Sequence, residues 1–150
     1  QNHLRILSAF YGILKPMDGV TPYRLEMQAK AEIEEKTNLY DYWGDRLYHS
    51  VIDDSRTIIN LASKEYSKCI ERYLSDKDNY ITITFCELSG DKLVTKGTYA
   101  KMARGEMVRF MAENNIENPV DIQKFDRLGY TFRGNLSSET EYVFERKIIK

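Results

Sequence analysis

The sequence predicts an α+β fold: a mixed sheet with hairpins, packed against amphipathic helices in a single compact unit. Three observations carry this reading. Residues 80–88 alternate Ile81, Ile83 and Phe85 with Thr82, Thr84 and Cys86, the period of a strand with one buried face. Residues 99–114 repeat their apolar side chains at helical spacing. Two short β-type runs, 130–133 and 142–146, flank Gly134-Asn135 as a hairpin would. No internal repeat and no linker divides the 150 residues, about one domain's worth of chain.

In chain order, residues 4–14 are mostly apolar but too short, and too interrupted at Gly12, to assign as helix or strand. Pro16, Gly19 and Pro22 then mark a loop. Residues 39–52 read as one helix, because Leu39, Trp43, Leu47 and Val51 fall on one stripe. The β-branched run 57–61 reads as a buried strand, and Ser63 as the N-cap of a helix with Tyr66, Ile70, Tyr73 and Leu74 on one side. The strand at 80–88 turns at Ser89-Gly90-Asp91 and returns over 93–98. The helix at 99–114 buries Tyr99, Ala103, Met107, Phe110 and Met111. Asn118-Pro119 then opens a short helix that Gly129 ends.

Composition excludes several function classes. Hydrophobic residues are 42% and charged residues 30%, with 8 Gly and 3 Pro, which is globular and not disordered or collagen-like. The chain lacks an apolar run long enough to span a bilayer, and a net charge of −1 names neither nucleic acid nor membrane as partner. Cys69 and Cys86 form no C-x-x-C motif and read as buried free thiols of a reducing cytoplasm. His3 and His49 lack ligand-spaced partners, so neither a metal site nor a cofactor is expected. No nucleophile elbow, Walker loop or dinucleotide fingerprint is present. The many Tyr and Phe residues suggest core and hairpin packing before any base-stacking platform.

Charge is local. Residues 26–54 hold eight acids against three bases, whereas residues 92–109 hold Lys92, Lys96, Lys101, Arg104 and Arg109 against Glu106 alone. On the helix, Lys101, Arg104 and Arg109 lie opposite the apolar stripe, with the small Gly105 and Ala112 between them. Guanidinium forks grip phosphate oxygens in pairs, and Lys adds a mobile point charge. That face is either a phosphate site or an ordinary solvated helix surface. The junction Asn60-Leu61-Ala62-Ser63 offers helix-start N–H groups to an anion. Tyr23, Arg24 and Glu26 share an extended segment, in which Arg24 and Glu26 either form an ion pair or serve a site.

The order of these segments resembles the YaaA peroxide-stress family of bacteria. The resemblance rests on Leu4-Arg5-Ile6-Leu7-Ser8-Ala9-Phe10-Tyr11-Gly12, Leu14-Lys15-Pro16-Met17-Asp18, and Pro22-Tyr23-Arg24-Leu25-Glu26-Met27. Tyr42-Trp43-Gly44-Asp45, Asn60-Leu61-Ala62-Ser63 with Glu65-Tyr66, Tyr99-Ala100-Lys101 with Ala103-Arg104-Gly105, and Ser137-Ser138-Glu139 before Tyr142-Val143-Phe144 complete it. Ala9 and Phe10 stand where Gly and Leu are commoner, and Met102 stands where a second Lys often follows Lys101. The resemblance implies a cytoplasmic protein that limits oxidative damage to DNA and protein by keeping unincorporated iron low. It also implies DNA binding through a positively charged cleft, with a helix-hairpin-helix element. It further implies that this chain corresponds to the C-terminal three fifths of a member, a further N-terminal region being absent.

Two function classes follow. The first is a non-catalytic module on double-stranded DNA, with Lys101, Arg104 and Arg109, helped by Lys96, Lys15 and Arg24, on phosphates. The second is an enzyme or binding protein for a phosphorylated or nucleotide-like ligand. Its pocket would draw on Tyr23, Glu26, Asn60, Ser63 and Glu65, with Arg24, Lys101 and Arg104 holding the anion and Glu26 or Glu65 as general base.

Overall fold

The computed structural model describes residues 2–90 and 92–147; Asp91, expected in a turn, lies outside them. The α+β class holds. Contacts group the chain into two units, Gln1–Ile58 with Ala62–Asp78, and Ile59–Leu61 with Asn79–Lys150.

The first unit opens with the segment that sequence periodicity left unassigned. It is an antiparallel hairpin of β1 (Ile6–Ser8) and β2 (Gly12–Leu14), in register Ile6↔Leu14 and Ser8↔Gly12. Three-residue strands are too short to show a period, so their pairing is set by what the turn packs on. Gly12, at φ +78°, brings the backbone against the ring of Trp43, whose Nε1 donates to the Ala9 carbonyl at 2.9 Å. The expected single helix at 39–52 is two: α1 (Leu39–Trp43) and α2 (Arg46–Val51). Gly44 breaks it at φ +56°, closing α1 with its N–H on the Tyr40 carbonyl. Asn38 caps α1 by accepting from the Asp41 N–H at 2.9 Å.

Helix α3 (Lys64–Glu71) starts where expected, but Ser63 caps it in position only. Its backbone is extended and its hydroxyl makes no cap bond. Tyr73 and Leu74 fall beyond the helix end. Ala9, Met27, Leu39, Leu47, Cys69 and Ile70 are buried in this unit. Arg56 ties Asp78 by an ion contact of 2.6 Å, and the Tyr48 hydroxyl donates to the same carboxylate at 2.9 Å.

A five-stranded sheet runs in the order β3-β4-β7-β6, with β5 paired to β4; it belongs to the second unit except for Thr57 and Ile58 of β3, which group with the first. β3 is Thr57–Asn60, β4 Asn79–Ser89, β5 Lys92–Val94, β6 Tyr130–Phe132 and β7 Glu141–Arg146. β3 is half-buried except at Asn60, not wholly buried. β5 is shorter than expected because Gly97 and Thr98 already belong to helix α4 (Gly97–Glu113). β6 and β7 form the expected antiparallel pair, with a single 3-10 turn at Gly134–Leu136 between them. β7 also runs parallel to β4, from Thr82↔Glu141 to Glu87↔Arg146.

The alternation in β4 works as expected. Ile81, Ile83 and Phe85 face a core shared with Ala100, Ala103, Met107 and Phe110 of α4, and with Ile122, Phe125, Tyr130, Tyr142 and Phe144. Phe85 contacts Phe125, Tyr130 and Phe144 with ring centroids 5.1–5.9 Å apart. Asn118 caps the next segment by accepting from Val120 N–H at 3.0 Å, but that segment is 3-10 and ends at Lys124, before Gly129. Tyr99 is not in the stripe: it is 41% exposed, with the Arg146 guanidinium 3.5 Å over its ring, and Ala100 takes the buried place.

Candidate nucleic-acid interface

Helix α4 presents the expected cations in three different conditions. Lys101 is exposed and takes part in no ion pair among the described residues. Arg104 is half-buried, its Nε is enclosed without a hydrogen-bond partner, and burial lowers its pKa. An arginine stays protonated under such a shift. That N–H is closed to solvent, so Arg104 meets a ligand only through the part of its side chain that stays exposed. Beside it, a Cβ at Gly105 would meet open space, so the helix surface is clear there.

Arg109 is exposed but bound to Glu113, Nε to Oε1 at 2.7 Å. Arg127, which sequence reading passed over, spans Glu106 at 2.8 Å and Glu113 at 2.7 Å. The Arg109–Glu113 pair is solvent-exposed and therefore weak, so phosphate can compete for Arg109. Its i, i+4 spacing was visible in the sequence. Lys96 differs: its Nζ lies 3.1 Å from the fully buried Glu87, which commits it to the fold.

The remaining expected residues divide between the units. Asn60 is buried in the sheet of the second unit, with its Nδ2 3.4 Å from Thr82 Oγ1. Lys15 and Arg24 are exposed in the first unit, and no ion pair joins Arg24 to Glu26 among the described residues. Tyr23, Glu26 and Glu65 do converge, around Tyr66. Burial raises the Tyr66 phenol, and the charges of Glu65, Tyr23 and Glu26 raise it further. Glu65 accepts the Gln28 N–H at 3.3 Å, and Tyr40 donates to the Glu65 carbonyl at 2.9 Å. Ser63 contributes its backbone, its carbonyl accepting from Tyr66 and Ser67 N–H.

This cluster is rich in oxygen, and among the described residues no ion pair ties Glu26 or Glu65 to a cation. The described residues hold no group of three or more His, Cys, Asp or Glu placed for a metal. Depressions of about 410 Å³ (Phe110, Asn114, Asn115, Ile116, Asp121, Lys124) and about 660 Å³ (Tyr48, Arg56, Tyr73, Ser75, Asp76, Lys77) contain none of the expected site residues.

Both thiols are buried and unpaired. Burial pushes Cys69 up to about 11 and also raises Cys86. A raised thiol pKa starves the reactive thiolate, so direct peroxide sensing by these cysteines is disfavoured. In the native protein at pH 8, neither thiol is expected to react with a disulfide reagent over minutes, whereas both react in denaturant. Prompt modification of one thiol in the folded protein would show it to be open and activated.

Among the described residues, no helix is long and apolar enough to cross a membrane. The family described as peroxide stress protein YaaA matches residues 1–136. A UPF0246 protein of Agathobacter rectalis is 80% identical over 148 residues, covering 99% of this chain and 59% of that relative. UPF0246 proteins of Lachnoclostridium phytofermentans (57% identical; 96% of this chain, 56% of the relative) and Pediococcus pentosaceus (50%; 96% and 57%) align over 144 residues each. The chain thus spans 56–59% of the length of these relatives. A match over nearly the whole chain, by family and by relatives alike, makes this chain a member of the YaaA (UPF0246) peroxide stress protein family.

Proposed function

We propose that this chain supplies a phosphate-gripping face to a cytoplasmic peroxide-stress protein, which holds double-stranded DNA and limits iron-dependent damage to DNA and protein. The observation that carries the reading is the pairing of Lys101 with Arg104 on one helix face: Lys101 is exposed and in no ion pair among the described residues, and half-buried Arg104 lies one turn along, beside Gly105, where the surface is open. Arg109 joins by exchanging Glu113 for a phosphate. Lys96 is left out, because it neutralises Glu87. Contacts of this kind position a duplex without reading its bases. The family's link to peroxide stress supports a protective role at DNA. The carboxylates of Glu26 and Glu65 gathered around Tyr66 would repel a phosphorylated small ligand, which favours the helix face over that cluster.

The test is fluorescence anisotropy of a labelled duplex at several salt concentrations. Three phosphates neutralised by Lys101, Arg104 and Arg109 give a slope of log K against log salt of about −3. The double variant Lys101→Glu/Arg104→Glu is expected to lose binding at least tenfold while remaining folded by circular dichroism. Salt-independent affinity, or full affinity in the variant, rejects this face as the DNA contact.

A further inference from the structure

The chain carries its sulfur in two cysteines and five methionines, and the fold sorts them sharply. Cys69, Cys86, Met27 and Met107 are buried, and Met111 packs half-buried against the core of the second unit. Met17, 78% exposed, and Met102, 54% exposed, are the two that stand in solvent. A thioether needs no ionisation to meet an oxidant, whereas burial keeps both thiols from their reactive thiolates.

Met102 differs from Met17 in its neighbours. Residues three and four apart adjoin each other on a helix surface, so the positions around Gly105 are Lys101, Met102, Val108 and Arg109. A Cβ at Gly105 would meet nothing within 4 Å, which leaves a clear patch bordered by two cations and one thioether. Arg104 adjoins Lys101 by the same spacing. A phosphate held on this face therefore lies beside Met102. The thioether sulfur is a weak acceptor and leaves the cations' N–H groups to the phosphate.

We infer that Met102 is a peroxide-modified site on the α4 face, and that its conversion to the sulfoxide weakens the hold of that face on phosphate. The sulfur lone pair attacks one oxygen of hydrogen peroxide. An S–O bond forms, the O–O bond breaks, and the departing hydroxide takes the proton of the transferred oxygen to leave as water. Sulfur is oxidised and peroxide is reduced, and peroxide is the stress that the family description names. The product carries a strongly polar oxygen where an apolar side chain stood, and reductases can reverse it. That oxygen competes with phosphate for the donors of Lys101 and Arg109. The inference rests on the nucleic-acid reading for this consequence, but not for the site of oxidation.

The intact chain is treated with hydrogen peroxide and its peptides are weighed. One added oxygen is expected on Met102 and on Met17, and none on Met27 or Met107 unless the protein is first denatured. Duplex anisotropy then compares reduced and oxidised protein. Oxidation should weaken the duplex about threefold, the scale of one competed hydrogen bond, and a methionine sulfoxide reductase with dithiol should restore it. Met102→Leu should bind the duplex as wild type does and ignore peroxide, while Met17→Leu should remain sensitive. Met102 left unoxidised under conditions that oxidise free methionine overturns the site. Equal affinity before and after oxidation, or the same loss in oxidised Met102→Leu, overturns the effect on phosphate. If the reduced protein binds no duplex, the nucleic-acid reading fails and that effect with it, while the peptide masses still decide the site.

Discussion

Gly12→Ala is expected to destabilise the protein by about 2–5 kcal/mol, from a left-handed backbone at about 1–2 kcal/mol plus overpacking at about 1–3 kcal/mol. Gly12 sits at φ +78°, and a Cβ there would lie 2.8 and 2.9 Å from two Trp43 ring carbons and 3.3 Å from Leu47 Cδ2. None of these atoms belongs to a flexible side-chain end. Trp43 is tethered to Ala9, and Leu47 is buried. Relief therefore requires the hairpin to lift from α1 and α2, opening the core of the first unit. Urea unfolding followed by Trp43 emission measures the effect. Gly19→Ala is the control, since its Cβ would meet nothing, and it should shift stability by less than about 0.5 kcal/mol. A Gly12→Ala protein as stable as that control would mean that the hairpin does not dock on the tryptophan.

How much of this fold was legible follows from the range of each interaction. The β4 alternation and the α4 period are local, and both elements appear where the sequence places them. The division of 39–52 was also written locally, in Gly44, but the i+4 stripe spans the break and hides it, because Leu39 and Leu47 are buried on both sides of it. The parallel pairing of β4 with β7 joins residues nearly sixty positions apart, and no period announces it. That pairing also brings Arg146 to the start of α4, where its guanidinium lies over the exposed Tyr99 ring.

The candidate site was legible in its residue types and not in their partners. Arg109 could have been paired with Glu113 from spacing alone. Arg127 reaches α4 only through tertiary packing, and Lys96 finds Glu87 only through the β4–β5 hairpin. The expected pocket of Tyr23, Glu26, Asn60, Ser63 and Glu65 spread across two units because proximity in the chain at 60–65 says nothing about which core each side chain joins.

Glu87→Gln is expected to cost about 3–5 kcal/mol, the scale of breaking one partner out of a buried ion cluster. Glu87 is 0% exposed. Its oxygens lie 2.7 Å from Arg146 Nη2 and 3.1 Å from Lys96 Nζ, and have no hydrogen-bond partner among the described residues. The carboxylate charge is therefore the counterweight to two cations, one of them mostly enclosed. A neutral amide leaves Arg146 with desolvated charge facing no anion. The consequence extends along the chain, because Lys96 is the residue from which α4 starts and Arg146 covers Tyr99 in its first turn. Loosening that start displaces Lys101 and Arg104 without altering their charge, so duplex affinity should fall alongside stability. Glu87→Gln/Arg146→Met separates charge from packing: removing both ions should recover part of the single-variant loss, with a coupling of about 1–3 kcal/mol in the double-mutant cycle. Additive losses would mean that the two residues act through separate neighbours, and the register Glu87↔Arg146 would then be held by the strands alone.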